Sequence, residues 1–428
     1  MSNTPTPESA APAAPGRQPA MPFIMLTVLI DMVSVGLIIP VLAPLVGTFT
    51  ASPRDQAFWY GAVTIAFAIA NFFGAPILGR LSDRFGRRPV LLLGFCGLAL
   101  SFIGTGLATA LWVLLVVRLF SGAMQANIAV ANAYVADITL PEQRARSFGL
   151  LGAMIGLGFI LGPVLGGLLG GISLQLPFFV AGGLAVVNWL YGFFVLPESL
   201  PAERRQPFVL AEANPVASLR GLAALKGVGA LVFVVGLSGL AQYMTHTSWV
   251  LYTTFKFGWG PTQNGWSLFA MGLMAALVQG GLMGRLVKRF SAQRLAVVGL
   301  LSSSIGFVLW GLATQGWMMV AVIFANVLGF CVQPALQSLI ANAADASSQG
   351  RTAGAVASLN SMMAVLSPAI AAPLLALVAG LPQGDWRIGA PFYFCALLQA
   401  AAMVVARRHF VRQRERAAAG ATLAGSAH

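Results

Sequence analysis

Two charged residues lie inside long apolar stretches of the sequence. Asp31 is in the middle of the run that begins at residue 22, and Arg118 lies inside a later run. A charge in the middle of a bilayer costs on the order of 3 kcal/mol on insertion scales, so it usually faces a cavity or a partner. A carboxylate can take up a proton, whereas an arginine stays protonated. We predict that Asp31 is a proton-accepting group in a central cavity; a permanent ion pair between helices is the alternative.

Polar residues accompany both charges at helical spacing, so each charge lies on a polar face that we expect to line the cavity. There Arg118 would hold Asp31 ionised until a proton or a cationic substrate competes for it, or would bind an anionic group. An anchor on backbone carbonyls is the alternative for Arg118. The companions are Thr27 and Ser34 beside Asp31, and Gln125 and Asn132 beside Arg118.

The second half of the chain offers only uncharged cavity candidates and one histidine. His246 could titrate in the physiological range, which makes it a second candidate for proton coupling. The alternative is a hydrogen-bonded cavity residue. The candidates are Gln242, Thr245 and His246 in one apolar run, and Asn326, Gln333 and Gln337 in another.

The elements that hold these residues must be membrane spans. With 58% hydrophobic residues, 9% charged residues and a mean hydropathy of +0.82, the chain has too little charge to cover a soluble globule of 428 residues. A span needs about 20 mostly apolar residues. The sequence predicts an all-α membrane protein with twelve transmembrane helices over 22–48, 57–80, 89–108, 110–134, 145–170, 175–196, 227–255, 262–286, 294–313, 316–341, 352–380 and 388–407.

Polar stretches divide this series into parts. Residues 1–21 are predicted to be a disordered tail, 22–196 a first six-helix half, 197–226 a linker, 227–407 a second half and 408–428 a basic tail.

All but four of the 25 Lys and Arg residues fall on one side of the predicted membrane. Lysine and arginine in short loops mark the cytoplasm, so the tails and linker are predicted to be cytoplasmic.

Other classes of protein lack support in the sequence. The net charge of +13 is spread over short clusters and forms no nucleic-acid-binding patch. The three cysteines, Cys96, Cys331 and Cys395, lie in apolar runs and are predicted to be small buried residues. We find no metal-ligand cluster, no phosphate-binding Gly-Lys-Ser/Thr loop and no nucleophile elbow. The sequence thus predicts no enzyme activity, no metal and no cofactor, and leaves an ion gradient as the source of energy.

The chain repeats itself at an offset of 205 residues. The island Gly79-Arg80-Leu81-Ser82-Asp83-Arg84-Phe85 is echoed by Gly284-Arg285-Leu286-Val287-Lys288-Arg289-Phe290, and three single positions agree at the same offset. Two six-helix halves related in this way place a substrate site at their interface and permit alternating access. Asp31 and Arg118 have Gly236 and Ile323 as counterparts, so the duplicated fold does not require either charge.

Small residues form a ridge on the predicted fifth span. Gly158, Gly162 and Gly166 recur every four residues, with Pro163 beside them. Such a ridge lets two helices approach closely, so its predicted role is helix packing.

These motifs resemble the major facilitator superfamily, and within it the twelve-helix drug/proton antiporters of the tetracycline-resistance type. The resemblance covers most of residues 22–410 and rests on the stretches 31–40, 79–89, 118–139, 162–167 and 196–199. It implies a charge relay among Asp83, Arg87 and Asp137, together with the start of span 11, that latches the halves in the outward-facing state.

The sequence also departs from that pattern. Where tetracycline exporters have acidic residues in spans 3 and 9, this chain has Ser101 and Ser303, and Ala275 replaces a histidine in span 8; Gln279 does match. The resemblance therefore favours Gln279 as a cavity residue. It weakens the case for a metal–tetracycline cation as the substrate.

Together these features predict a proton-coupled exporter of small amphipathic molecules in a bacterial inner membrane. The predicted partners are a small-molecule substrate, protons and lipid, with no nucleic acid and with the chain as a monomer. A metabolite importer or facilitator of the same fold is the alternative. A receptor or scaffold without transport is the third possibility, and the shortness of the two tails argues against it.

Overall fold

The computed structural model describes residues 20–125, 127–209, 229–343 and 349–425, with side chains over 21–125, 127–209, 229–340 and 356–415. Most of the predicted N-terminal tail and of the linker lies outside these ranges. The spans are numbered α1 to α12 in chain order, and α4, α8 and α10 are each built from segments. They are α1 (Ala20–Gly47), α2 (Pro53–Phe85), α3 (Arg87–Gly106), α4 (Leu111–Met124 and Asn127–Ile138), α5 (Arg144–Ile172), α6 (Leu176–Val195), α7 (Gly229–Phe257), α8 (Pro261–Ala276, a π-helical Leu277–Leu282, and Met283–Arg289), α9 (Ala292–Leu312), α10 (Gly316–Ala325 and Val332–Ala343), α11 (Gln349–Val378) and α12 (Ala390–Gly425).

The predicted fold class is confirmed. In the described part of the chain, eleven helices are long and apolar enough to cross a membrane, and α10 makes the twelfth if its two segments, bent by 55°, are one span. The chain is therefore a multi-pass membrane protein. The 205-residue offset recurs in the secondary structure, because α3 and α9 begin at residues 87 and 292.

Three predicted spans differ in detail from the helices of the structure. Spans 4 and 10 are broken rather than continuous, since no intact helix passes through Gln125 or residues 326–328. Helix α12 does not end at residue 407 but runs to Gly425. Its extension is rich in alanine and arginine, which are good helix formers. Hydropathy marks where a helix leaves the bilayer, not where the helix ends.

Each half packs around its first helix. In the first half α1 lies against α5 and α6, while α2 packs on α4; in the second half α7 lies against α11 and α12. The glycine ridge of α5 meets α1, and a Cβ on Gly162 would lie 2.6 Å from the Cα of Gly36. No larger residue fits there, so the structure places the ridge where a helix-packing role requires it.

The two halves meet mainly through two helix pairs, α5 with α8 and α2 with α11. We call the face with the islands at Arg80–Arg88 and Arg285–Arg289 the basic face. Contacts between the halves are tight near the opposite face. A Cβ on Gly265 would lie 3.0 Å from the Cα of Gly167, and a Cβ on Gly61 would lie 2.2 Å from the Cβ of Ala372.

The same helices are open nearer the basic face. Added Cβ atoms would meet nothing within 4 Å at three glycines of α5 and three of α8, which are Gly149, Gly152, Gly156, Gly280, Gly281 and Gly284. The described helices are thus closed together at the opposite face and separated towards the basic face.

Candidate functional site

Asp31 is buried inside the first half. Its side chain is 4% exposed, and the Nδ2 of Asn127 donates to its Oδ1 at 3.1 Å. Among the described residues, no lysine, arginine or histidine lies within 4 Å of the carboxylate. Asp31 therefore has a neutral amide as its partner; neither the permanent ion pair, which was the alternative reading, nor the predicted pairing with Arg118 is formed in this conformation.

The companions of Asp31 on α1 are also buried in this conformation, so their predicted place in the cavity stays a prediction. Thr27 and Ser34 are 0% and 1% exposed. The hydroxyl of Ser34 donates to Ile30 O at 2.8 Å, and Asn188 of α6 donates to Thr27 O at 2.9 Å. The polar face of α1 points into its own half because α5 and α6 cover it there.

Arg118 lies between α4 and α2 and is 6% exposed. Its guanidinium stands 5.8 Å from the ring centre of Phe67, and its Nε and Nη2 have no hydrogen-bond partner. The predicted role of holding Asp31 is thus not served in this conformation. A buried guanidinium with free donors can still bind an anionic group.

A break in α4 explains the position of Asn127. The first segment ends at Met124, and the carbonyl of Gln125 is capped by the Nδ2 of Asn71 in α2 at 2.8 Å. The second segment begins at Asn127 and ends near Asp137. Sequence reasoning missed Asn71 and Asn127, although both are amides within apolar runs.

The two predicted cavity residues of α4 lie apart from Asp31. Gln125 is half-buried at the break, and Asn132 donates to the carbonyl of Ile128 in its own helix at 2.9 Å. Among the described residues, neither side chain forms a hydrogen bond with Asp31 or Arg118.

In the second half, the predicted polar residues of α7 differ in exposure. Gln242 and His246 are exposed near the middle of the helix, with the Nε2 atoms of their side chains 3.0 Å apart. Thr245 is instead 4% exposed and donates to Ala241 O, so it is not a cavity residue in this conformation. Trp249 is 1% exposed among other aromatic rings and belongs to the core.

The remaining candidates of the second half separate in the same way. Gln279 is exposed on the π-helical turn of α8, a kind of distortion that is frequent at functional sites. Gln337 is exposed and Gln333 is half-buried on the second segment of α10. Asn326 instead accepts a hydrogen bond from Ser302 at 2.8 Å, in a groove between α9 and α10 whose other residues are mostly apolar and exposed. Asn326 thus lies in a groove between α9 and α10, and its predicted cavity role stays a prediction.

The three residues of the implied relay do come together. Arg87 donates to Asp83 Oδ1 at 2.6 Å through Nη1 and to Asp137 Oδ2 at 3.0 Å through Nε. The same Nη1 reaches Ser82 Oγ at 2.7 Å. The start of α11, the fourth predicted member, has no described side chains. The contact within the first half is thus present in a conformation that is open at the basic face.

Glu198 supports this relay and was missed as a site residue. Its Oε1 accepts from the backbone N of Arg87 at 2.8 Å and of Leu200 at 3.0 Å, and its Oε2 accepts from the N of Arg88 at 3.2 Å. A carboxylate at the N-terminus of α3 satisfies free amides and interacts well with the helix dipole. Gly86, with φ +105°, forms the turn before α3, and a Cβ there would lie 2.3 Å from Glu198 Oε2.

The cysteines only partly follow their prediction. Cys331 and Cys395 are buried free thiols, whereas Cys96 is exposed on α3. The position of Cys96 shows that an apolar sequence context does not distinguish the bilayer-facing side of a helix from its core side.

Comparison with known proteins gives consistent matches along the chain. The Major Facilitator Superfamily profile matches residues 24–368 and 231–425. Tetracycline resistance protein, class C, from Escherichia coli is 38% identical over 88% of this chain and 95% of its own length. Multidrug resistance protein 2 of Bacillus subtilis is 28% identical over 88% and 92%. The crystal structure of the human organic anion transporter MFSD10 superposes with a TM-score of 0.67 at 24% identity, covering 92% of this chain and all of that one.

Proposed function

The chain belongs to the major facilitator superfamily, and on that premise we propose that it is a drug exporter that exchanges small amphipathic molecules for protons. Support comes from the similarity to tetracycline and multidrug resistance proteins over nearly their full lengths. The single structural observation that supports proton coupling is the buried carboxylate of Asp31. Among the described residues, it is the one acid in the middle of an apolar span.

Asp31 is suited to proton coupling because its charge is unfavourable in its surroundings. An ionised carboxylate away from water is poorly solvated, whereas the neutral acid is tolerated much better. Binding one proton therefore changes the energy of the first half in each conformation. If the two conformations expose Asp31 to different sides, each cycle can move one proton inwards and one substrate outwards.

The basic face is proposed to be the cytoplasmic face of a bacterial inner membrane, with both termini inside and the chain acting as a monomer. The positive-inside rule supports this orientation. The conformation described here would then admit substrate from the cytoplasm, past Gln242, His246 and Gln279. The relay of Asp83, Arg87 and Asp137 is the proposed gate on that side, which the start of α11 would meet on closure.

Tetracycline is a candidate substrate, although Ser101 and Ser303 replace acids that such exporters carry. A drug-susceptibility panel that includes tetracyclines tests the proposal. It compares an efflux-deficient host that expresses the wild type, Asp31→Asn or Asp55→Asn, the last being a matched control at the exposed end of α2. We expect the wild type and Asp55→Asn to raise resistance to at least one amphipathic drug, and Asp31→Asn to lose this effect.

Transport by purified protein in liposomes tests the coupling separately. If Asp31→Asn moved a drug with the same dependence on the pH gradient as the wild type, the proton assignment would be wrong. Accumulation of a metabolite without any change in drug resistance would favour an importer instead.

A further inference from the structure

We propose that Asn127 is the positioning residue of the Asp31 carboxylate, and that the break in α4 serves to place its amide there. This inference rests on the proposed proton-coupled function and assigns a partner to the proton site.

Asn127 is the side chain that hydrogen-bonds to Asp31 in the described part of the chain. Asn127 and Asp31 are 5% and 4% exposed, and they are joined by the 3.1 Å hydrogen bond described above. Next to this contact, Gly94 of α3 lies against Asn127, Gly158 of α5 against Met32, and Asn188 of α6 against Thr27; none of the three neighbours is charged. Arg118 shares α4 with Asn127 but faces α2. The amide of Asn127 is therefore the one side-chain donor that the described residues offer to Asp31.

Two neighbouring helices, α3 and α2, hold this amide in position. A Cβ on Gly94 would lie 2.0 Å from Asn127 Oδ1, so the amide rests directly on the backbone of α3. From α2, Asn71 caps the carbonyl that the break exposes at Gln125. An uncapped carbonyl would be expensive within a membrane, so Asn71 stabilises the break that brings residue 127 towards Asp31.

The second half supplies an internal comparison. At the 205-residue offset, Gly94 corresponds to Gly299, Asn127 to Val332 and Asp31 to Gly236. A Cβ on Gly299 would lie 2.9 Å from Val332 Cγ2, so the same glycine contact recurs with an apolar partner. The fold thus accepts valine at this place, and the amide occurs only in the half that contains the acid.

The chemistry is a simple proton transfer. The ionised carboxylate accepts a hydrogen bond from the amide N–H; when one proton binds, the carboxylate becomes a neutral acid and the amide is unchanged. A hydrogen bond donated to the charged form favours that form. Asn127 therefore makes Asp31 release its proton more readily than burial alone would allow.

Infrared difference spectroscopy on the full-length protein in liposomes tests this directly. The probe is the carboxylic acid C=O band that Asp31→Asn abolishes, and its intensity is followed as a function of pH without any drug. We expect Asn127→Val to move the midpoint of this pH titration upwards by about one unit, the order expected for one hydrogen bond to a charged group. Gly94→Ala, which keeps the amide but displaces it, should shift the midpoint in the same direction by less. Ile128→Ala on the exposed side of the same segment should leave it in place.

The outcomes are distinct. A wild-type midpoint in a folded Asn127→Val protein would overturn the proposal; if that variant does not fold, an unshifted midpoint in Gly94→Ala overturns it. If the midpoint shifts but tetracycline movement in the same liposomes ignores the pH gradient, the positioning role stands and the proposed coupling fails. If Asn127 were only a packing residue, its variants would lower the folded fraction without moving the midpoint.

Discussion

One added methyl group at the contact between the halves should change which side of the protein is open. In Gly265→Ala the new Cβ would lie 2.5 Å from Pro163 O and 3.0 Å from the Cα of Gly167. Both are backbone atoms, so rotation of a side chain cannot relieve the overlap. The halves must separate at the opposite face, which disfavours the conformation described here.

The size of the effect follows from the overlap. Overpacking a well-packed contact by one methyl group costs about 1 to 3 kcal/mol. A conformational equilibrium changes by roughly 5- to 150-fold for such a difference. Gly265→Ala should therefore shift the ratio of the two open conformations by at least about fivefold.

The same reasoning predicts the reverse effect for Gly156→Ala. Gly156 has nothing within 4 Å of an added Cβ in this conformation. If the halves rock about the central site, this part of α5 approaches α8 when the basic face closes. Gly156→Ala should then disfavour closure and increase the population described here. Gly183→Ala, at an open and exposed position of α6, is the matched control.

Distances between spin labels at Arg146 and Val287 would report these populations in a cysteine-free background. Both positions are exposed near the basic face, on α5 and α8. We expect the long distance to become rarer in Gly265→Ala, more common in Gly156→Ala and unchanged in Gly183→Ala. Identical distributions in Gly265→Ala and the wild type would refute the packing argument. A shift in the same direction for both test variants would refute rocking of the halves.

Three further predictions concern single side chains. Glu198→Gln should lower the apparent Tm in detergent, since losing a negative charge at a helix N-terminus costs about 0.3 to 1 kcal/mol; an unchanged Tm would mean that this charge does not stabilise α3. The hydrogen-bonded guanidinium of Arg387 holds the pKa of Asp385 below its usual range. The ion pair between Asp385 and Arg387 therefore stabilises the fold above about pH 4, and this stabilisation is lost as the pH falls through the lowered pKa of Asp385. The Tm difference between the wild type and Asp385→Asn should thus disappear in acid. Trp249→Ala should destabilise the second half by about 3 to 5 kcal/mol, whereas Trp249→Phe should still transport drug. If Trp249→Ala lost drug binding without losing stability, Trp249 would be a substrate contact.

Much of the fold could be predicted because membrane spans are encoded locally. Length and apolar composition gave twelve spans, and the 205-residue offset related the halves. The glycine ridge at Gly158, Gly162 and Gly166 likewise has a local cause, since only residues without side chains allow α1 and α5 to approach so closely.

The candidate site was harder to predict because helical spacing defines a face but not its neighbour. Thr245 and His246 are adjacent in α7, yet one points into the core and the other is exposed. Thr27 and Ser34 share a polar face with Asp31, and that face is covered by the first half's own helices. Which side of a polar helix meets the cavity depends on packing between helices, which hydropathy does not encode.

The second segment of α4 connects the two parts of the site. Asn127 at its start contacts Asp31, and Asp137 near its end contacts Arg87 in the relay. Ten residues of α-helix separate these contacts, about 15 Å along one axis. The break at Gln125 separates this segment from the first segment of α4. The partner of the buried acid and the carboxylate of the relay are therefore parts of the same rigid helix, and any displacement of that helix alters both contacts together.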